Sequence, residues 1–244
     1  MAFGFGPQQM GYDRAITVFS PEGKLYQVEY AFEAVKRGWS TIGIKVKDGV
    51  LIAVEKRRPQ PLLDFHHLEK IFVVDDHIMT SFAGLAADGR ILVDYARDVA
   101  LRYRFLYDEL PTVEYVAKMI SDVKQAYTQH AGVRPFGVAL IFAGVDDFGP
   151  QVFMTEPSGQ YMSYLVATIG QNQSQLSEFI EGKYSYDMSL DEAIVLAIKA
   201  FLSIKEESEV SPENYEIGVV TVEERRVRKL TVEEVKEYLE KAKA

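Results

Sequence analysis

Strand-like and helix-like stretches come in blocks along this chain, and the block order constrains the fold more than any other feature. Strand-like runs at 40–47 and 50–55 are followed by two more at 70–75 and 78–83. Two long helical patterns come next, one carrying Leu92, Tyr95, Val99 and Leu106, the other Val113, Val116, Ile120, Val123 and Tyr127. Strand-like runs at about 137–145, 151–155 and 160–167 precede helices at about 172–183 and 189–206. Strands at 215–222 and 226–230 and a helix from Thr231 close the chain. Parallel winding would alternate single strands with single helices. The expectation is an α+β fold, a four-layer α/β/β/α sandwich of two antiparallel sheets flanked by helix pairs.

Local signals fill in this frame. Leu25, Val28, Phe32 and Val35 recur at spacings of three and four, so a helix over 25–35 has one apolar face. Gly38 is expected to end it in a left-handed cap. Asp48-Gly49 predicts a type I′ hairpin turn, with positive φ at both residues. Asp76-His77, Asp147-Phe148-Gly149-Pro150 and Pro157-Ser158-Gly159 mark further turns. Ser189 with Glu192, and Thr231 with Glu234, read as capping boxes. Glu237 and Lys241 are spaced for an i,i+4 ion pair.

The chain has 244 residues, 48% of them hydrophobic, enough for one large domain. Residues 1–11 read as a mobile tail, since they are rich in Gly and Gln and poor in branched apolar residues. Residues 12–244 read as a single domain, with 21–38 an N-terminal helix region and 231–243 a C-terminal helix.

With 36 acidic and 27 basic residues the net charge is -9, which disfavours nucleic acid as a partner. The densest basic run, Arg225, Arg226, Arg228 and Lys229, reads as a solvated strand edge beside Glu223 and Glu224. There is no cysteine, so disulfides, thiolate metal sites and cysteine nucleophiles are excluded. No apolar run approaches the roughly 18 residues of a membrane span. The start of the chain lacks the pattern of a signal peptide. A soluble, cytoplasmic chain without membrane contact is expected.

Familiar chemistry is missing. Gly4-Phe5-Gly6 runs into Pro7 with no strand before it, so it is no dinucleotide loop. His66, His67, Glu69 and His77 lie close in sequence, but they read as a loop leading into a strand, and neither metal nor cofactor is expected. A sandwich of this kind can host a Thr, Ser or Cys whose own α-amino group acts as base, freed by cleavage after a glycine. None of the 17 glycines is followed by Thr, Ser or Cys.

The segment from Tyr12 to Gly38, YDRAITVFSPEGKLYQVEYAFEAVKRG, resembles the N-terminal signature of proteasome α subunits. Supporting matches are Glu69-Lys70-Ile71, Gly84-Leu85-Ala86-Ala87-Asp88, Gly132-Val133-Arg134-Pro135-Phe136-Gly137, Ala143-Gly144-Val145-Asp146 and the stretch around Glu234–Leu239. The resemblance implies the N-terminal nucleophile hydrolase-like fold. It implies a non-catalytic member of a seven-membered outer ring stacked on rings of catalytic β subunits. Such a ring gates unfolded protein substrates and docks the C-terminal tails of an ATPase activator or other cap. Where catalytic β subunits begin with a Thr nucleophile, this chain reads Trp39-Ser40-Thr41-Ile42-Gly43, with 38 residues ahead. The absence of cysteine suggests an archaeal source.

By the same resemblance, Tyr12, Asp13, Pro21 and Tyr30 match the cluster that holds the open gate, with residues 1–11 as the plug. Lys70 matches the lysine that takes a tail carboxylate, and Gly38 and Leu85 match residues lining that pocket. The alternative for Lys70 is a surface salt bridge to Glu69 or Asp75. His130, Ala131, Gly132 and Val133 match the pore constriction, where the family commonly reads Tyr-Gly-Gly-Val. The alternative for His130 is a histidine bonded to the last carbonyls of a helix. Phe32, Pro59, Pro61 and Gln171-Asn172-Gln173 depart from the family pattern.

Overall fold

The computed structural model describes residues 17–57, 62–64, 68–204 and 211–243. Among the described residues ten strands form two five-stranded sheets. The first contains β1 (Thr41–Val46), β2 (Gly49–Glu55), β8 (Val166–Ile169), β9 (Tyr215–Thr221) and β10 (Val227–Lys229), in the order β10-β9-β2-β1-β8. The second runs β3 (Ile71–Asp75), β4 (Ile78–Gly84), β5 (Val138–Asp146), β6 (Gly149–Thr155) and β7 (Tyr161–Ser163), in that order. Every recorded pairing is antiparallel. Helices α2 (Ala86–Tyr107) and α3 (Val113–Ala126) cover the second sheet. Helices α4 (Gln173–Glu181), α5 (Leu190–Leu202) and α6 (Val232–Lys243) cover the first. Helix α1 (Tyr26–Lys36) packs against β4 and β5.

The period of two in each strand feeds two cores at once. In β2, Val50, Ile52 and Val54 face the opposite sheet, while Leu51 and Ala53 face the helices. In β5, Ala139, Ile141 and Ala143 face between the sheets, and Val138, Leu140 and Phe142 meet α2 and α3. Small residues where sheet meets sheet let the layers approach. At Gly43 a Cβ would lie 2.8 Å from Ile141 Cγ2.

Three local expectations are corrected. The first hairpin pairs Val46 with Gly49, so its two turn residues are Lys47 and Asp48, one position earlier than predicted. Asp48 does not take positive φ. Gly49 is needed for space, since a Cβ there would lie 2.3 Å from the Val220 carbonyl oxygen. Gly38 likewise lacks the left-handed φ of a cap. Its hydrogen is required because a Cβ would fall 2.2 Å from the Gly84 nitrogen. The predicted strand at 160–167 is two strands in different sheets: β7 pairs with β6, and β8 pairs with β1. The chain crosses between sheets at Tyr164–Leu165, where Tyr164 N–H still donates to Val152 and Leu165 C=O already accepts from Lys45.

Both capping boxes form. Glu192 N–H donates to Ser189 Oγ at 3.2 Å, and Ser189 N–H to Glu192 Oε2 at 2.7 Å. The Thr231–Glu234 pair repeats the pattern at 3.2 and 2.8 Å. The expected Glu237–Lys241 pair is replaced: Lys241 Nζ lies 4.8 Å from the Tyr238 ring centroid. The basic run at the last hairpin is paired with acids, Arg225 to Asp147, Arg228 to Glu234, and Lys229 to Glu69 and Glu216.

Candidate functional site

The site is built where α1 ends, β1 begins and β4 gives way to α2. Helix α1 buries Val28, Ala31 and Val35, with Phe32 half-buried. A turn precedes it, in which Ser20 N–H donates to Lys24 C=O and Lys24 N–H to Ser20 Oγ. Gly23 completes the turn at φ +78°. Pro21 sits exposed in it. Tyr30 is half-exposed beside Tyr26, their ring centroids 6.4 Å apart. Tyr12 and Asp13 lie outside the described residues, as do residues 1–11, Pro59, Pro61, His66 and His67.

A cleft of about 460 Å³ opens between α1 and the start of α2, lined by Tyr30, Glu33, Ala34, Arg37, Gly84 and Leu85. A second hollow of about 160 Å³ shares Tyr30, Ala34 and Leu85 and is closed by Arg134, Pro135 and Gly137. Their walls are largely apolar, with Arg37, Arg134 and the carboxylate of Glu33 also lining them. Gly38 lies behind the cleft, pressed onto Gly84.

Lys70 lies just ahead of β3, its Nζ 4.7 Å from the Trp39 ring centroid and 4.3 Å from that of Phe82. Such ring faces attract an ammonium. Burial pulls the Lys70 pKa down to about 8, against the Glu216 carboxylate, which raises it. Glu216 is anchored by the backbone N–H groups of Lys70 and Ile71, at 2.9 and 3.2 Å. Among the described residues Lys70 has no ion pair: Glu69 pairs with Lys229, and Asp75 with Arg104. The two salt bridges considered for Lys70 are therefore not made. Nothing in the sequence foretold the ring slot, because Trp39, just ahead of β1, and Phe82, on β4, are far apart in the chain.

Position 39 itself offers an indole and a peptide nitrogen within a continuous chain. Gly170 packs so tightly there that a Cβ would lie 2.3 Å from the Trp39 carbonyl oxygen. Ser40 Oγ donates to Gln171 C=O at 2.9 Å, and Thr41 Oγ1 lies 3.4 Å from Trp39 C=O. Both hydroxyls are thus engaged with backbone.

The segment 130–133 leaves the end of α3. His130 Nδ1 is 2.6 Å from Ala126 C=O, the helix-terminal bonding considered as its alternative role. His130, Ala131 and Gly132 are exposed, Val133 is half-buried, and Gly132 takes φ +87° in open space. Its far end is held by Asp88. Arg134 Nη1 and Nη2 donate to the two Asp88 oxygens at 2.6 and 2.7 Å, and Gly137 N–H donates to Asp88 Oδ2 at 3.0 Å. Burial works to raise the Asp88 pKa, but the Arg134 hydrogen bonds, the Gly137 N–H and the Arg134 charge outweigh it and hold the pKa below the usual value.

Of the histidine cluster, only Glu69 and His77 lie among the described residues. His77 is buried, with Nε2 2.9 Å from Pro111 C=O and Nδ1 3.9 Å from Asp75. Glu69 is bound to Lys229 instead. Among the described residues no three His, Asp or Glu groups converge to hold a metal, and no helix is long and apolar enough to cross a membrane.

Two antiparallel sheets in contact, helices outside both, and the start of β1 packed at one end define the sandwich class of N-terminal nucleophile hydrolase-like proteins. The model of the "Proteasome subunit" family matches residues 35–220, and the model of that family's type-A N-terminal signature matches residues 12–34. The proteasome α subunit of Saccharolobus solfataricus is 54% identical over 238 residues, covering 97% of this chain and 99% of the relative. The same-named proteins of Metallosphaera sedula and Saccharolobus islandicus strain L.S.2.15 are 54% and 53% identical over the same spans. The chain belongs to the proteasome family, on its α side.

Proposed function

We propose that this chain is a non-catalytic member of the outer proteasome ring, which admits unfolded protein to a chamber closed by β subunits and docks the C-terminal tails of a cap. The observation that carries the reading is α1. Its buried face and the contact of Gly38 with Gly84 fix the chain ahead of β1, so Trp39 stays inside a folded polypeptide. An N-terminal nucleophile needs a free α-amine as its base, and a peptide nitrogen cannot act as one.

The α1–α2 cleft and Lys70 support tail docking. Apolar walls suit side chains near a tail's end, and an ammonium that feels Glu216 but makes no ion pair among the described residues suits its terminal carboxylate. Pro21 and Tyr30 lie on the same helix and its leading turn, where Tyr12 and Asp13 would join them to set the gate. His130–Gly132 form an exposed turn, with Val133 half-buried at its end, fit to line an opening. Exposed apolar residues on the last turns of α2, Leu101, Phe105 and Leu106, line a groove of about 480 Å³ and support burial against a neighbouring copy or ring. Function inside the cytoplasm follows from the same role.

The test is co-assembly with a β subunit of the same source. Native mass should report a stacked-ring particle, and deletion of residues 2–11 should speed its degradation of unfolded protein while leaving small-peptide cleavage little changed. A product of this chain that begins near residue 39 and carries peptidase activity would overturn the reading.

A further inference from the structure

The α1–α2 cleft and the 130–133 turn share one support. Leu85 lines both hollows of the cleft, and its N–H donates to Gly137 C=O at 2.9 Å. One helical turn later, Asp88 binds Arg134 through both oxygens and Gly137 through its N–H. Arg134 and Pro135 in turn form the wall of the smaller hollow. An occupant of the cleft therefore rests on residues that begin one position after Val133. The other end of the segment is fastened to α3, by His130 to Ala126 and by Thr128 Oγ1 to Gln125 C=O at 2.7 Å. Between these anchors stands a short arch with a glycine at positive φ.

We propose that Asp88 is a positioning residue that ties occupancy of the α1–α2 cleft to the setting of the 130–133 turn. Its carboxylate is nearly buried and receives three donors from two sites on the 134–137 segment. A forked guanidinium on a carboxylate fixes direction as well as distance. A shift of Leu85 or of the cleft wall moves this joint as a unit, and the arch starts at the joint. The surrounding charges do not compete for it: the ion pairs of Arg90 and Arg97 on α2 go to Asp94. The inference rests on the docking reading above, and it adds what docking does at a distance.

The test uses the full chain assembled with its β subunit. The probe is a set of heptapeptides with an aromatic residue at or next to a free C-terminus, and their amides as controls. Peptide binding is read by fluorescence anisotropy, and hydrogen exchange is followed across 128–137. In the wild type, a bound peptide should slow exchange in that segment at least threefold. In Asp88→Asn and Asp88→Ala the peptide should still bind, while the exchange response at 128–137 falls below twofold. A role confined to stability would lower the melting temperature of both variants yet leave the response in place. Binding without any change at 128–137 in the wild type would overturn the coupling and spare the docking reading. A full response in Asp88→Asn would remove Asp88 as the link. No binding of any peptide would overturn the docking reading and the inference with it.

Discussion

At position 70 an ammonium is held between two aromatic rings and titrates near pH 8. A carboxylate docked on it would hold the charge, so docking takes up a proton above that pH. Tail affinity should be full below pH 8 and should fall as the pH rises beyond it, by at most about tenfold per unit. Half-maximal tail-peptide concentrations measured from pH 7 to 9.5 test this, and a flat profile would exclude Lys70 as the acceptor. Lys70→Ala should abolish stimulation by the peptides with native mass unchanged. A second lysine behaves differently. Lys124 is wholly buried, with Nζ donating to Thr155 Oγ1 at 2.9 Å and Thr155 C=O at 3.2 Å. Burial drives its pKa well below the ordinary lysine value, with Glu156 opposing. A lysine whose folded pKa is depressed makes the chain more stable as the pH rises toward its unfolded value, because the unfolded chain holds the extra proton. The melting-temperature difference between wild type and Lys124→Met should therefore move in favour of the wild type from pH 7 to 10. A constant difference would mean that Lys124 keeps its charge in the fold.

At the scale of elements, the order of strands and helices was readable because each element has its own period and punctuation. Ser189 is the clearest case: its hydroxyl and the Glu192 carboxylate close both bonds of the box before α5. Ser189→Ala should cost about 1 kcal/mol and lower the melting temperature by roughly 2–4 °C in a chain of this size. A loss well under half a degree would show that another group takes over the orphaned N–H. What was not readable depends on partners distant in sequence. The run 160–167 carries strand residues throughout, and nothing local says that its two halves belong to different sheets; β6 and β1 decide that. Gly38 looks like a cap in the sequence, whereas Gly84 from β4 sets the requirement. Gly38→Ala should accordingly damage the α1–β4 contact by more than the loss of a cap would, on the order of 1–3 kcal/mol as overpacking. Chemical denaturation measures it, and a neutral outcome would mean that α1 can slide off the sheet end at no cost. Of the candidate site, the family resemblance pointed to Lys70, Gly38 and Leu85 by position, but the joint from Asp88 to Arg134 and Gly137 could only be seen once residues 46 to 49 apart in sequence met.

Across the whole molecule, the two sheets satisfy each other and the helices satisfy both, so the core gives no reason to associate. The surface of α2 offers one. Phe105 is 88% exposed, Leu101 67% and Leu106 70%, on one stretch of a helix whose other face is packed. A folded chain with net charge -9 resists unspecific clustering, so a patch of this kind is expected to meet one defined surface. Since Phe105 buries little within its own chain, Phe105→Glu should leave the circular dichroism and melting of the isolated chain within error. It should at the same time shift native mass from the assembled particle to smaller species, because a carboxylate would have to be desolvated at the contact. Lys118→Ala, on α3 and outside the groove, removes only an exposed ion pair to Asp122 and should leave assembly intact. Assembly unaffected by Phe105→Glu would show that this face stays open in the particle, and the packing of neighbouring copies would then have to rest on other elements, with α1 and its leading turn the first to examine.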